Sequence, residues 1–117
     1  MKNRIANTKN EFQGKFKKVL CVCSAGMLRS PTAAWVLSNK PFNFNTRSCG
    51  ISKEFALIVF DEVLAEWADE FVVFNQEQFD VVSKLSKGKV IVNLDIEDIF
   101  DFKDEELINL ITTQYNE

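Results

Sequence analysis

The 117-residue chain predicts an α/β fold, a three-layer sandwich in which a four-stranded parallel sheet lies between helices. Three observations carry that expectation. Short β-branched apolar runs alternate four times with longer stretches of helical periodicity. The first run, Val19–Cys23, is continuously apolar, as suits a strand buried on both faces. An apolar fraction of 46% over this length supports one globular domain rather than two, and argues against disorder throughout.

The elements follow in order. After the strand at Val19–Cys23, Ser30 reads as a helix cap with Pro31 at the first helical position, and Thr32–Asn39 as the helix, which stops before Pro41. Phe44–Cys49 is the second strand, closed by Gly50. Lys53–Ala68 has Phe60, Val63, Leu64, Trp67 and Ala68 on one stripe, which predicts a second helix. Glu70–Phe74 is the third strand, and Gln76–Lys87 a helix carrying Phe79, Val82 and Leu85, stopped by Gly88. Val90–Leu94 is the fourth strand and Asp104–Gln114 the last helix, with Leu107, Leu110 and Ile111 inward. Parallel strands joined by helices place any ligand beyond the carboxyl ends of the strands, near a switch in strand order.

Residues 1–17 are set apart as a mobile or loosely docked basic arm, with the domain proper at 18–117. Residues 1–18 hold six basic residues against Glu11 alone, whereas residues 94–117 hold eight acids and one lysine. The overall net charge of −3 disfavours a nucleic-acid module. No apolar run is long enough to span a bilayer, and no cleavage site follows Val19–Cys23, so neither membrane nor secretory signal is expected. Three cysteines, an odd number, favour reduced thiols and a cytoplasmic setting.

The chain has no histidine. Ser-His-Asp and Cys-His mechanisms and histidine-bearing zinc sites are therefore excluded, and chemistry must rest on cysteine, carboxylates, lysine or arginine. The segment Cys23-Ser24-Ala25-Gly26-Met27-Leu28-Arg29-Ser30-Pro31 joins the first strand to the first helix. A loop curling around an oxyanion points its amides inward, and the helix behind it adds its dipole. Gly26 supplies a positive φ for the curl, while small Ser24 and Ala25 allow close approach. Arg29 can hold two phosphate oxygens at once, and this surrounding would favour a Cys23 thiolate, with Ser30 donating to the sulfur. With three cysteines and three arginines, a Cys-x5-Arg spacing arises by chance about 0.08 times, so its placement between strand and helix carries the weight. Cys21 and Cys49 read as packing thiols, and a Cys21, Cys23, Cys49 metal site lacks any histidine or second cysteine pair.

The run Val19–Ala33 resembles the phosphate-binding loop of the low-molecular-weight protein tyrosine phosphatases. Arg47-Ser48-Cys49-Gly50 is similar to that family's Ser-Ala-Gly stretch, and Trp67–Phe74 to its Ala-Asp-hydrophobic third strand. Asp95–Phe100 is similar to its acid loop, in the Asp-x-Tyr/Phe form of a shorter branch. The likeness runs over residues 18–111. It implies Cys23 as nucleophile, residues 24–30 as phosphate cradle, Arg29 as phosphate-holding arginine, and Ser30 as the hydroxyl beside the sulfur. It implies Asp98 as general acid and Phe100 as the aromatic on the pocket rim; Asp95, at the end of the fourth strand, is the runner-up acid, and Met27 would line the slot with Phe100. No cofactor or metal is implied, and the substrate would be a phosphotyrosine protein or a small aryl phosphate. The chain departs from the family with Gly26 where an asparagine is usual, and with Leu28 where many members hold a second cysteine. Glu97 and Ile99 stand where relatives have prolines.

Three other activities compare less well or stand as alternatives. An arsenate reductase of this fold needs a downstream cysteine pair, and no cysteine follows Cys49. A sugar-transport phosphocarrier would lack Arg29. A phosphate- or phosphoprotein-binding module that hydrolyses poorly is the main alternative.

Overall fold

The structure, a computed structural model, describes residues 17–24, 29–97 and 103–116. Its elements run β1 (Lys18–Cys23), α1 (Arg29–Ser38), β2 (Asn45–Gly50), α2 (Glu62–Trp67), β3 (Glu70–Val73), α3 (Gln76–Ser83), β4 (Val90–Asn93) and α4 (Glu105–Asn116). The four strands form one parallel sheet in the order β2-β1-β3-β4. The expected α/β sandwich is what the chain adopts.

Strand composition and sheet position agree. β1 lies between β2 and β3, and its residues from Val19 to Cys23 are buried, as its unbroken apolar run requires. β4 is an edge strand and leaves Val90 exposed. The side-chain period of two divides the core into layers. Val19, Cys21, Cys23, Val72 and Phe74 pack with Ala33, Val36 and Leu37 of α1 and Leu107 and Ile111 of α4. Leu20, Val22, Cys49, Phe71 and Val73 pack on the other face with Phe60, Ala65 and Val82.

Several boundaries differ from the sequence expectation. α1 begins at Arg29, so Ser30 and Pro31 lie within its first turn and Ser30 is not its cap. Proline lacks only an N–H that the first turn leaves unbonded anyway, so it fits more than one position there. The expected helix over Lys53–Ala68 is confined to Glu62–Trp67. The stretch 58–60 is drawn to the sheet edge instead: Gly50 N donates to Ile58 O (2.9 Å) and Phe60 N to Gly50 O (2.8 Å). Asp61 then caps α2, accepting from Leu64 N at 2.9 Å, and Val63 faces solvent rather than the core. α3 stops at Ser83, well short of Lys87, where the Ser83 hydroxyl donates back to Asp80 O (2.9 Å) and Lys87 and Gly88 take positive φ.

At the amino end of the sheet Lys17 is already engaged, although composition places it in the arm. Its Nζ donates to Glu70 Oε1 (2.9 Å) and to Tyr115 Oη (3.1 Å), and lies 4.7 Å from the Phe44 ring centre. Tyr115 Oη donates to the other Glu70 oxygen at 2.7 Å, so this buried carboxylate joins β3 to α4 and to residue 17. Burial opposes the Lys17 charge, but the hydrogen bonds to Glu70 and Tyr115 and the charge of Glu70 outweigh it and raise its pKa. Tyr115 is also raised, by burial and by its bond to Glu70. Residues 1–16 lie outside the described residues. Among those described, no helix is long and apolar enough to cross a membrane.

Candidate active site

The strand order reverses direction beside β1. The chain moves from β1 outward to β2, then returns to the far side of β1 for β3. Loops leaving β1 and β3 therefore diverge at the carboxyl end, and a crevice opens between them. An open cleft of ≈ 440 Å³ lies there, lined by Ser24, Arg29, Phe74, Asn75, Asp95, Ile96 and Glu97. The first turn of α1 and the segments that follow β1, β3 and β4 each contribute to it.

Cys23 ends β1, opposite Gly50, and is 3% exposed. Its thiol donates to Ser30 Oγ at 3.1 Å, and the Ser30 hydroxyl donates to Cys49 O at 3.2 Å. The early start of α1 is what brings Ser30 to the sulfur. If the sulfur is ionised, the same hydroxyl can turn and donate to it instead. Backbone bonds from Ile51 N to Cys23 O (3.0 Å) and Ser52 N to Ser24 O (2.8 Å) hold the end of the strand in place.

Arg29 is 4% exposed, although it lines the cleft. Its Nη1 donates to Ile96 O at 2.7 Å, and its guanidinium carbon lies 5.5 Å from the Phe74 ring centre. A guanidinium buried and fixed in this way is held in one orientation at the cleft wall. Asp95 takes a positive φ of 56°, with its N–H bonded to Asn93 Oδ1 at 2.9 Å, and this turn carries the chain across the cleft wall.

Gln78 also belongs to this end of the sheet. It is fully buried, donates from Nε2 to Ser24 Oγ (3.2 Å) and accepts from Phe74 N at Oε1 (2.7 Å). It thereby ties the residue after the candidate nucleophile to the end of β3. The sequence does contain a signal: Asn75 caps α3 by accepting from Gln78 N (2.9 Å), and Asn-x-x-Gln is a capping-box spacing.

The structure thus brings Cys23, Ser24, Arg29 and Ser30 to one end of the sheet, with Asp95 on the cleft wall. Ala25, Gly26, Met27, Leu28, Asp98 and Phe100, also singled out from sequence, lie outside the described residues. The other two thiols are set apart. Burial pushes Cys21 far above the ordinary thiol range and pushes Cys49 up to about 12, the latter helped by charge at Cys23 and Asp61. Among the described residues, no group of three or more cysteines and carboxylates is placed to hold a metal ion.

No protein-family model and no curated protein sequence matches the chain. Solved structures do. Wzb from Vibrio vulnificus, in complex with benzylphosphonate, is 18% identical with a TM-score of 0.65, covering 86% of this chain and 93% of that one. The YwlE arginine phosphatase from Geobacillus stearothermophilus is 20% identical with a TM-score of 0.65, covering 86% and 92%. The tyrosine phosphatase Wzb from Escherichia coli K30, in complex with phosphate, is 19% identical with a TM-score of 0.64, covering 86% and 94%. The fold of this chain is that of the low-molecular-weight phosphatases, as its first loop suggests.

Proposed function

We propose that the protein is a phosphomonoester hydrolase, a cysteine-dependent protein tyrosine phosphatase working through a phosphocysteine. The observation that carries this reading is the pairing across one strand–helix loop: Cys23 with a hydroxyl 3.1 Å from its sulfur, and Arg29 buried yet lining the cleft. Three of the structural relatives supply context, two as phosphatases by name and two with phosphate or a phosphonate bound.

In the first step the Cys23 thiolate attacks phosphorus in line, an S–P bond forms and the ester P–O bond breaks. Asp98 gives its proton to the departing oxygen, a contribution of about 10²–10⁴ in rate. In the second step Asp98 takes a proton from water as the water oxygen bonds to phosphorus. The S–P bond breaks, and Ser30 receives the returning thiolate. Arg29 and the loop amides hold the equatorial oxygens throughout. No step needs histidine.

A second reading is phosphoarginine as substrate. Asp95 and Glu97 line the cleft, where their carboxylates would attract a guanidinium leaving group. Purified protein should hydrolyse p-nitrophenyl phosphate without added metal, be blocked by vanadate, and lose activity on Cys23→Ser. Peptides phosphorylated on tyrosine or on arginine then separate the two substrates. Phosphate binding without turnover under reducing conditions would replace the enzyme with a phosphate-binding module.

A further inference from the structure

Helix α1 supports more than the phosphate site. Arg29, Thr32 and Trp35 recur every third residue, so they lie along one stripe of the helix. The first two, and the third through its ring, each hold a point on the segment that follows β4. Arg29 Nη1 donates to Ile96 O at 2.7 Å. Thr32 is fully buried, and its Oγ1 accepts from Lys103 N at 2.9 Å. Lys103 Nζ lies 4.4 Å from the Trp35 ring centre.

Both points are also fixed to the core. Ile96 is buried against α1 and α4, and its N–H donates to Phe74 O at 3.1 Å. Past Lys103, Asp104 caps α4 by accepting from Glu106 N (2.9 Å), and Leu107 and Ile111 pack against α1. The stretch between Ile96 and Lys103 contains Asp98. Its two ends are therefore referred to the helix that carries Arg29.

We propose that Thr32, assisted by the Trp35–Lys103 pair, is a positioning device that sets the acid-bearing stretch relative to the phosphate held by Arg29. This rests on the reading of Asp98 as general acid. A shift of the acid by a fraction of an ångström weakens proton delivery to the leaving oxygen without altering attack at phosphorus. Its effect is therefore largest for esters whose leaving group needs a proton most.

Thr32→Val keeps shape and removes the hydroxyl. With phenyl phosphate, kcat/KM, which reports the steps up to the phosphoenzyme, should fall about 10-fold, because the hydrogen bond that places Lys103 is lost. With p-nitrophenyl phosphate, whose leaving group needs little protonation, it should fall less than about threefold. Inhibition by inorganic phosphate should not change, and Thr32→Ser should restore the phenyl phosphate rate. Lys103→Met should act in the same sense more weakly. An equal loss of kcat/KM on both esters would overturn the proposal. A second arm needs no turnover: in Thr32→Val, hydrogen exchange at the Lys103 amide should quicken about 10-fold, while β1 and β3 amides stay protected. Unchanged exchange at Lys103 overturns the clamp even if the wild type hydrolyses neither ester, a result that by itself removes only the phosphatase reading.

Discussion

Ser30 offers the sharpest test of the proposed chemistry, because its single proton has two acceptors. In the thiol state Cys23 donates to Ser30 Oγ and Ser30 donates to Cys49 O. In the thiolate state the hydroxyl turns to the sulfur and gives up the carbonyl. The net stabilisation of the thiolate is therefore a difference: about 1.5–3 kcal/mol for a bond to a charged acceptor, less about 0.5–1.5 kcal/mol for the neutral bond released. That leaves about 1–1.5 kcal/mol, or roughly 5- to 15-fold in rate. The step in which the thiolate departs from phosphorus should feel most of it. Ser30→Ala should then show a burst of p-nitrophenol in rapid-quench measurements, followed by slow steady turnover, with phosphoenzyme visible by intact mass. The burst rate itself should fall less. A variant with unchanged steady turnover, or one that loses both phases equally without accumulating phosphoenzyme, would refute this account of the hydroxyl.

Further expectations concern the acid, the buried amide and the clasp at the other end of the sheet. Asp98→Ala should slow phenyl phosphate turnover far more than Asp95→Ala, by about 10²-fold or more, and the reverse ranking in steady-state kinetics would reassign the acid to the cleft wall. Gln78→Leu leaves the Phe74 amide without its buried acceptor and should cost about 1–3 kcal/mol, read as a lower midpoint in urea unfolding. Lys17 and Tyr115 both have raised pKa values in the fold, so the folded state holds protons that the unfolded chain releases near its own pKa of about 10. Stability from this clasp is complete below that pH and is lost as pH rises through the raised values. Glu70→Gln should flatten this alkaline limb in pH-dependent unfolding, and an unchanged limb would rule the clasp out as its source.

What the sequence made legible was local, and what it hid was set by distant partners. Cys23 and Arg29 could be found because strand, loop and helix follow one another within a dozen residues. β1 was legible because burial on both faces leaves an unbroken apolar run. The helix over Lys53–Ala68 misled because Phe60, Val63 and Leu64 fit helical spacing, while the bridge of Val59 to Gly50 at the end of β2 is written in no local pattern. Asp61 was a usable clue, an acid well suited to capping, but inside a periodic stretch it reads as one more exposed position. Gln78 was hidden for a different reason. Its capping role is local, whereas its bond to Ser24 spans 54 positions and depends on β3 lying beside β1.

The three cysteines show how sheet geometry alone assigns different chemistry to the same side chain. Cys21 and Cys23 point to one face by the period of two, and Cys49 to the other. A disulfide between Cys49 and Cys23 would have to cross the sheet, so the pair cannot serve as a redox couple without dismantling it. Cys21 sits two residues before the end of the strand, where neighbours on both flanks supply only packed side chains and ladder bonds. Burial there leaves nothing to support a negative charge. Cys23 occupies the last rung, where the chain leaves β1 and the first turn of α1 brings in the Ser30 hydroxyl. A displacement of one rung in either direction would give the hydroxyl no sulfur to meet. What singles out the candidate nucleophile is its position at the strand's carboxyl end, under a helix that begins at Arg29.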